Sequence, residues 1–180
     1  ATFTPTANST TAGSISVASG KFSDAAGNQN ADGAEANNSV SLTIDTVVPT
    51  IQSLDANSAS KTIVLTYDEA LAGDASLLPT AGQFVIQTTG SDANVSENPV
   101  VDMVVSGDTI TLTLQNDFVP GELSITYTDA TSANDTAALQ DVAGNDAAGF
   151  IQGVVADGYI KRGSVYVDGV FICKTNAKGQ

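Results

Sequence analysis

The sequence predicts an all-β fold: an immunoglobulin-like β-sandwich repeat with partial flanking modules. Two observations carry this expectation. Apolar and polar residues alternate with period two through most of the chain, which marks half-buried strands. Helical periodicity is nearly absent, confined to possible single turns at 69–75 and 136–140.

Each strand is legible in turn. Val40, Leu42 and Ile44 alternate with Ser41 and Thr43. Ile63, Leu65 and Tyr67 alternate with Val64 and Thr66. Ile110, Leu112 and Leu114 alternate with Thr109, Thr111 and Thr113, and Leu123, Ile125 and Tyr127 with Ser124, Thr126 and Thr128. Threonine suits the outward positions because its branched side chain fits a pleated surface. From residue 48 onward the pattern predicts seven strands, at 51–54, 63–67, 83–88, 100–105, 109–114, 122–128 and 150–155. Gly107-Asp108 reads as a tight hairpin turn, and Pro120-Gly121 punctuates the approach to the sixth strand. Seven short strands in about a hundred residues fit a sandwich, so residues 48–152 are expected to form one complete repeat.

The ends do not fit that module. Residues 1–46 offer two or three strands, including 14–19 and 40–44, and are expected to be the C-terminal part of a preceding repeat. Residues 153–180 hold four of the six basic residues and two strands, 164–167 and 170–173, and are expected to open a third small β module. An internal repeat supports the division. Asp24-Ala25-Ala26-Gly27-Asn28 recurs as Asp141-Val142-Ala143-Gly144-Asn145, and both copies read as the loop between the last two strands of a sandwich. No apolar run reaches the ~20 residues of a membrane-spanning helix. Residues 1–8 lack the basic and apolar regions of a signal peptide, so the chain is expected to be a piece of a longer polypeptide.

Composition removes many functions. Six Lys+Arg stand against 20 Asp+Glu, for a formal net charge of −14, yet only 14% of residues are charged, against roughly 25% in an average soluble domain. Nucleic-acid binding, which rests on basic residues neutralising phosphates, is not expected. Zero His removes the commonest general base and transition-metal ligand. A single Cys, Cys173, excludes an internal disulfide or a Cys-rich zinc site and reads as a small half-buried residue. Asn-x-Ser/Thr sequons at Asn8, Asn37, Asn94 and Asn134 are expected by chance in so Ser- and Thr-rich a chain. Tyr67 and Tyr127 end alternating strands and are expected in the core.

The acids suggest a cation. In an antiparallel sandwich, topology gathers Asp68 and Glu69, after the second strand, with the loop running from Asp129 through Asp135, Asp141 and Asp146. Asp45 lies in the linker just before the first strand, at the same pole. Like charges ~4 Å apart cost about 1 kcal/mol even in bulk water. Calcium would relieve such a cluster, since it takes 6–8 oxygen ligands from carboxylates, Asn side chains and carbonyls. The candidate ligands are Asp45, Asp68, Glu69, Asp129, Asp141 and Asn145, with Asp24 and Asn28 in the first motif copy. Each also has a plainer role. Asp-x-x-Gly-Asn makes a turn, Asp68-Glu69 could start a helix, and Asp45 could be a solvated linker acid.

Two stretches carry a resemblance. ATFTPTANST…ISVASGKFSDAAGN…NNSVSLTIDTVVPTI resembles the C-terminal half of bacterial Ig-like repeats in very large surface adhesins. TIVLTYDEAL…FVIQ…GDTITLTL…GELSITYTDATSANDTAALQDVAGNDAAG resembles a related repeat of giant cell-surface proteins, including cyanobacterial proteins linked to swimming motility. DGYIKRGSVYVDG is similar to the start of small β modules that follow such repeats. The resemblance implies an extracellular or cell-surface location, tandem arrays whose partners are adjacent repeats, calcium-dependent rigidity and no catalysis. It leaves cell-surface or matrix ligands to other domains. The leading expectation is a non-catalytic spacer repeat of a secreted or surface-anchored adhesin, with calcium-stiffened joints. The alternative is a carbohydrate-binding accessory module of a secreted enzyme, although the chain has no Trp and only four Tyr to stack on sugars. An enzyme comes third: Asp68 and Asp141 could pair as glycosidase carboxylates, but a small sandwich offers no evident deep cleft.

Overall fold

The computed structural model describes residues 2–156 apart from Pro120 and Ser132, together with strand residues 164–167 and 170–174; side chains are described up to residue 153, Ala34 excepted. The chain divides into two compact units, Ala1–Val48 and Pro49–Gln180.

The first unit contains two strands, β1 (Gly13–Ser16) and β2 (Ser39–Leu42), paired antiparallel with Ile15 opposite Val40 and Ser16 opposite Ser39. The alternation gives this ribbon an all-Ser face (Ser14, Ser16, Ser39, Ser41) and an apolar one. Ile15 and Val40 remain 45% and 61% exposed, and no described residue from 2 to 48 is fully buried. A two-stranded ribbon is marginal by itself in water, and this one has an apolar face without a core behind it.

The second unit holds β3 (Ile51–Asn57), β4 (Thr62–Tyr67), β5 (Phe84–Thr89), β6 (Val95–Glu97), β7 (Val100–Ser106), β8 (Thr109–Leu114), β9 (Gly121–Tyr127), β10 (Phe150–Ala156), β11 (Ser164–Val167) and β12 (Val170–Lys174). Two four-stranded antiparallel sheets form, in the orders β3-β4-β8-β7 and β10-β9-β5-β6, and β11 and β12 make a separate hairpin. The alternation seen in sequence is the reason. Ile63, Leu65 and Tyr67 of β4 and Ile110, Leu112 and Leu114 of β8 point inward from one sheet. Phe84 and Ile86 of β5, with Leu123, Ile125 and Tyr127 of β9, do so from the other, and all join one core. Each such side chain, fully buried, contributes about 1.5–3 kcal/mol. Tyr127 is the hinge of the aromatic packing, with ring centroids 5.0 Å from Phe84 and 5.8 Å from Phe150.

The differences from expectation are local. All-β architecture and the two core tyrosines hold, at 2% and 1% exposure for Tyr67 and Tyr127. Ser106 pairs with Thr109 across Gly107-Asp108, and Gly107 takes φ +63, the positive value a two-residue turn asks of its first position. The helical turns expected at 69–75 and 136–140 are absent. Their amides bond elsewhere: Leu71 to the Gly107 carbonyl, Ala72 to that of Gln140, and Leu139 to the Tyr127 hydroxyl. A 3-10 turn forms instead at Ala81–Gln83, closed by a capping box between Thr80 and Gln83. Strand β6 has no apolar alternation and was not expected. It is held through Asn98, 2% exposed, which exchanges bonds with the Asn116 backbone and donates to the Thr88 hydroxyl. The side chain of Cys173 and much of the expected third module lie outside the described residues.

Candidate metal centre

The pole of the second unit is assembled by backbone bonds between two connections. Leu71, after β4, bridges to Asp141, in the β9–β10 connection, and Ala72 donates to the Gln140 carbonyl at 2.9 Å. These bonds bring Glu69 and Asp141 together, with a carboxylate oxygen of each within 4.8 Å of the other. Glu69 is half-buried and Asp141 only 1% exposed.

The Asp141 loop closes on itself. Asp141 Oδ1 accepts the amides of Ala143 (2.7 Å) and Asn145 (2.9 Å), and Oδ2 accepts the Asn145 side-chain amide at 2.8 Å. Gly144 sits at φ +88, where a side chain would be strained. A carboxylate oxygen has about two lone-pair sites. Oδ1 is therefore filled, and Oδ2 retains one site that a hard cation could use.

The first motif copy folds the same way, bond for bond. Asp24 Oδ1 accepts the amides of Ala26 and Asn28, both at 2.9 Å, Oδ2 accepts the Asn28 side chain at 2.9 Å, and Gly27 takes φ +86. Bridges Ser23–Gln29 and Gln140–Asp146 brace the two loops at equivalent places. Asp24 and Asn28 are exposed, and Asp24 belongs to no group of three acids among the described residues. The Asn28 side chain, followed by the loop amides, holds the Asp24 carboxyl below the usual Asp range. Here the turn role expected from sequence accounts for the bonds.

The other candidates separate. Asp68 is exposed and clips the start of β3: Oδ1 accepts the Thr50 amide at 2.7 Å and Oδ2 the Thr50 hydroxyl at 2.5 Å, which together lower its pKa. It starts no helix, and it is not grouped with Glu69 and Asp141. Asp129 is half-buried, with Oδ1 accepting the Thr131 amide at 3.2 Å. Asp45, in the first unit, is half-buried and accepts the Val47 amide at 3.1 Å.

Two acids not chosen from sequence as ligands matter most in the β9–β10 connection. Asp146 is 8% exposed, and burial pushes its carboxyl up, with Asp129, Asp135 and Asp141 adding repulsion. Asp135 accepts the Thr131 hydroxyl and the Ala137 amide, which lower its pKa. Tyr127 stands among them; burial, opposed by its bond from the Leu139 amide and helped by Asp129, Asp146 and Asp135, pushes its hydroxyl up to about 12.

Fold and pole define an all-β unit of two antiparallel sheets with an acidic loop cluster at one end. Residues 44–132 match the model of a family described as "Putative flagellar system-associated repeat". The match takes in Asp45, Asp68, Glu69 and Asp129 and stops before the Asp141 loop. No curated protein and no solved structure matches the chain. Among the described residues no helix is long and apolar enough to cross a membrane.

Proposed function

We propose that the chain is a structural spacer from a tandem array of immunoglobulin-like sandwiches in a secreted or surface-anchored adhesin. In this reading it performs no catalysis, and calcium stiffens its joints. The duplicated loop carries the reading: two Asp-x-x-Gly-Asn loops with the same bonds lie in the connections of two antiparallel hairpins. The pair Ser16–Ser39 closes one connection and Tyr127–Phe150 the other. Both separations are 23 positions (39 minus 16, and 150 minus 127). A ribbon with an apolar face and no core is what the last two strands of a preceding sandwich would leave. Residues 1–46 are therefore assigned to a preceding repeat, 48–152 to a complete one, and 153–180 to a third module. The sheet orders β3-β4-β8-β7 and β10-β9-β5-β6 correspond to the A-B-E-D and G-F-C-C′ orders of immunoglobulin-like sandwiches, which supports the fold assignment.

The family match supports a repeat connected with motility or the cell surface, whose partners are neighbouring repeats. Calcium is favoured by an all-oxygen donor set, Glu69 with the remaining site on Asp141 Oδ2. When bound it supplies a crosslink between loops and no chemistry of bond breaking. Asp45, four positions ahead of Pro49, is proposed to contribute from the linker. Pro49 fixes one φ and restricts Val48, so few soft torsions remain to be ordered.

Small-angle scattering of the full chain tests this. Calcium should give a longer, narrower particle than chelator does, and Asp45→Ala should remove most of the difference. Superimposable profiles with and without calcium would refute the stiffened joint.

A further inference from the structure

We propose that β10 is an interaction edge whose partner is the β10 strand of a second copy of this chain, added antiparallel. This goes beyond the spacer reading and depends on no cation.

A strand at the rim of a sheet presents unpaired N–H and C=O groups, and proteins blunt such rims with charges, bulges or short strands. The two four-stranded sheets of the second unit have four rims: β3, β7, β10 and β6. Three are blunted. Strand β3 carries Asp55 and a register shift between Ile51 and Ser53. Strand β7 carries Asp102 and a shift between Val100 and Asp102. Strand β6 has three residues and ends in Glu97. Strand β10 has none of these devices. Its seven residues include no charge and no proline, and they pair with β9 without a shift, from Phe150 opposite Tyr127 to Ala156 opposite Gly121. Ile151 on this strand is 80% exposed, more than any other large apolar side chain among the described residues.

The chemistry of the strand selects its partner. With a net charge of −14, the chain would draw a basic peptide to the acids of its pole and not to an uncharged strand. What fits beside β10 is another uncharged strand, which sets no like charges opposite each other. A second β10 meets that condition. Turned about a two-fold axis through Gly153, it places Gly153 against itself and Ile151 against Val155 of the second copy. Leu123, Ile125 and Tyr127 of β9 face the core, so Ile151 and Gly153, opposite Thr126 and Ser124, lie on the outer face. Gly153 has room there: a Cβ would meet only the Leu123 carbonyl oxygen, at 4.0 Å. The same patch serves both copies, as a two-fold dimer requires. A single strand pair is at the small, transient end of interface sizes, so the contact forms where copies are concentrated.

Disulfide trapping of the full chain reads both partner and register. In a Cys173→Ser background, which removes the native thiol, Gly153→Cys should crosslink into a dimer under mild oxidation. Facing Cα atoms of antiparallel strands are about 4.5–5.5 Å apart, within disulfide reach. Ile151→Cys should not crosslink, because its own counterpart lies four positions along the strand, ~13 Å away. Sedimentation equilibrium of the unmodified chain should show a dimer in chelator and in calcium alike, tighter at high salt as the repulsion between acidic copies is screened. Ile151→Lys should weaken association about tenfold, whereas Val101→Lys, at a 58% exposed position of β7, should leave it unchanged. Monomer alone at ~1 mM chain would overturn the pairing and leave the edge to a strand of another protein. Crosslinking at 151 as fast as at 153, or association lost equally in Val101→Lys, would overturn it too.

Discussion

The hydroxyl of Tyr127 accepts the backbone amide of Leu139 at 2.7 Å, and so fastens the end of β9 to the middle of the connection that follows it. Leu139 is 1% exposed, so no water can replace this bond. Tyr127→Phe keeps the ring against Phe84 and Phe150 but orphans the amide. An unpaired buried donor costs about 1–3 kcal/mol, and urea denaturation of the variant should show a loss of that size.

Tyr67 gives the opposite case. Its hydroxyl is buried and unpartnered, and burial drives its pKa far up, with Tyr127 adding to the effect. Tyr67→Phe removes a desolvated polar group while keeping the ring. The same denaturation experiment should find stability unchanged or slightly raised. A loss in Tyr67→Phe comparable to that in Tyr127→Phe would contradict the reading of the Tyr67 hydroxyl as an unpartnered buried group.

The two motif loops provide an internal control. Asp24 and Asp141 make equivalent bonds, but Asp24 is exposed and Asp141 buried. In Asp141→Ala the amides of Ala143 and Asn145 lose the buried carboxylate that accepts them, a loss of about 1–3 kcal/mol. In Asp24→Ala water takes over. Calorimetry in chelator should show a clear fall in melting temperature for the first variant and little change for the second.

Acid should loosen the loop clips in a defined window. Hydrogen bonds from Thr50 to Asp68, from Ser76 to Asp74 and from Asn94 to Asp92 lower all three carboxyl pKa values in the fold. A depressed folded-state pKa means that the stabilisation is complete above the unfolded value, near 3.9, and is lost as pH falls through the folded value. Melting in chelator should therefore be insensitive to these groups above pH ~5 and decline below ~4. Because all three are exposed, each Asp→Asn variant should flatten the decline only slightly.

Strand identity was readable wherever alternation was complete, as in β4, β8 and β9, because burial on one face alone determines which residues are apolar. It failed at β6, whose pairing rests on Asn98 and the Thr88 hydroxyl, bonds that leave no hydrophobic period. The absence of helix at 69–75 was equally hidden, since those amides are claimed by Gly107 and Gln140, distant in sequence. Of the candidate site, the grouping of Glu69 with Asp141 followed from topology. The use of Asp68 as a strand clip did not, because Thr50 lies 18 positions away. Asp146 was hidden for a related reason: only the folded loop buries one of its oxygens and leaves it without a partner.

Thermal unfolding of the full chain in chelator and then in excess calcium tests the central claim, that cations hold the acidic pole. With free calcium at ten times the dissociation constant, one site adds roughly 1.4 kcal/mol of stability by linkage. The midpoint should rise with calcium, and Glu69→Gln should diminish the rise. Identical midpoints in chelator and calcium would contradict the account.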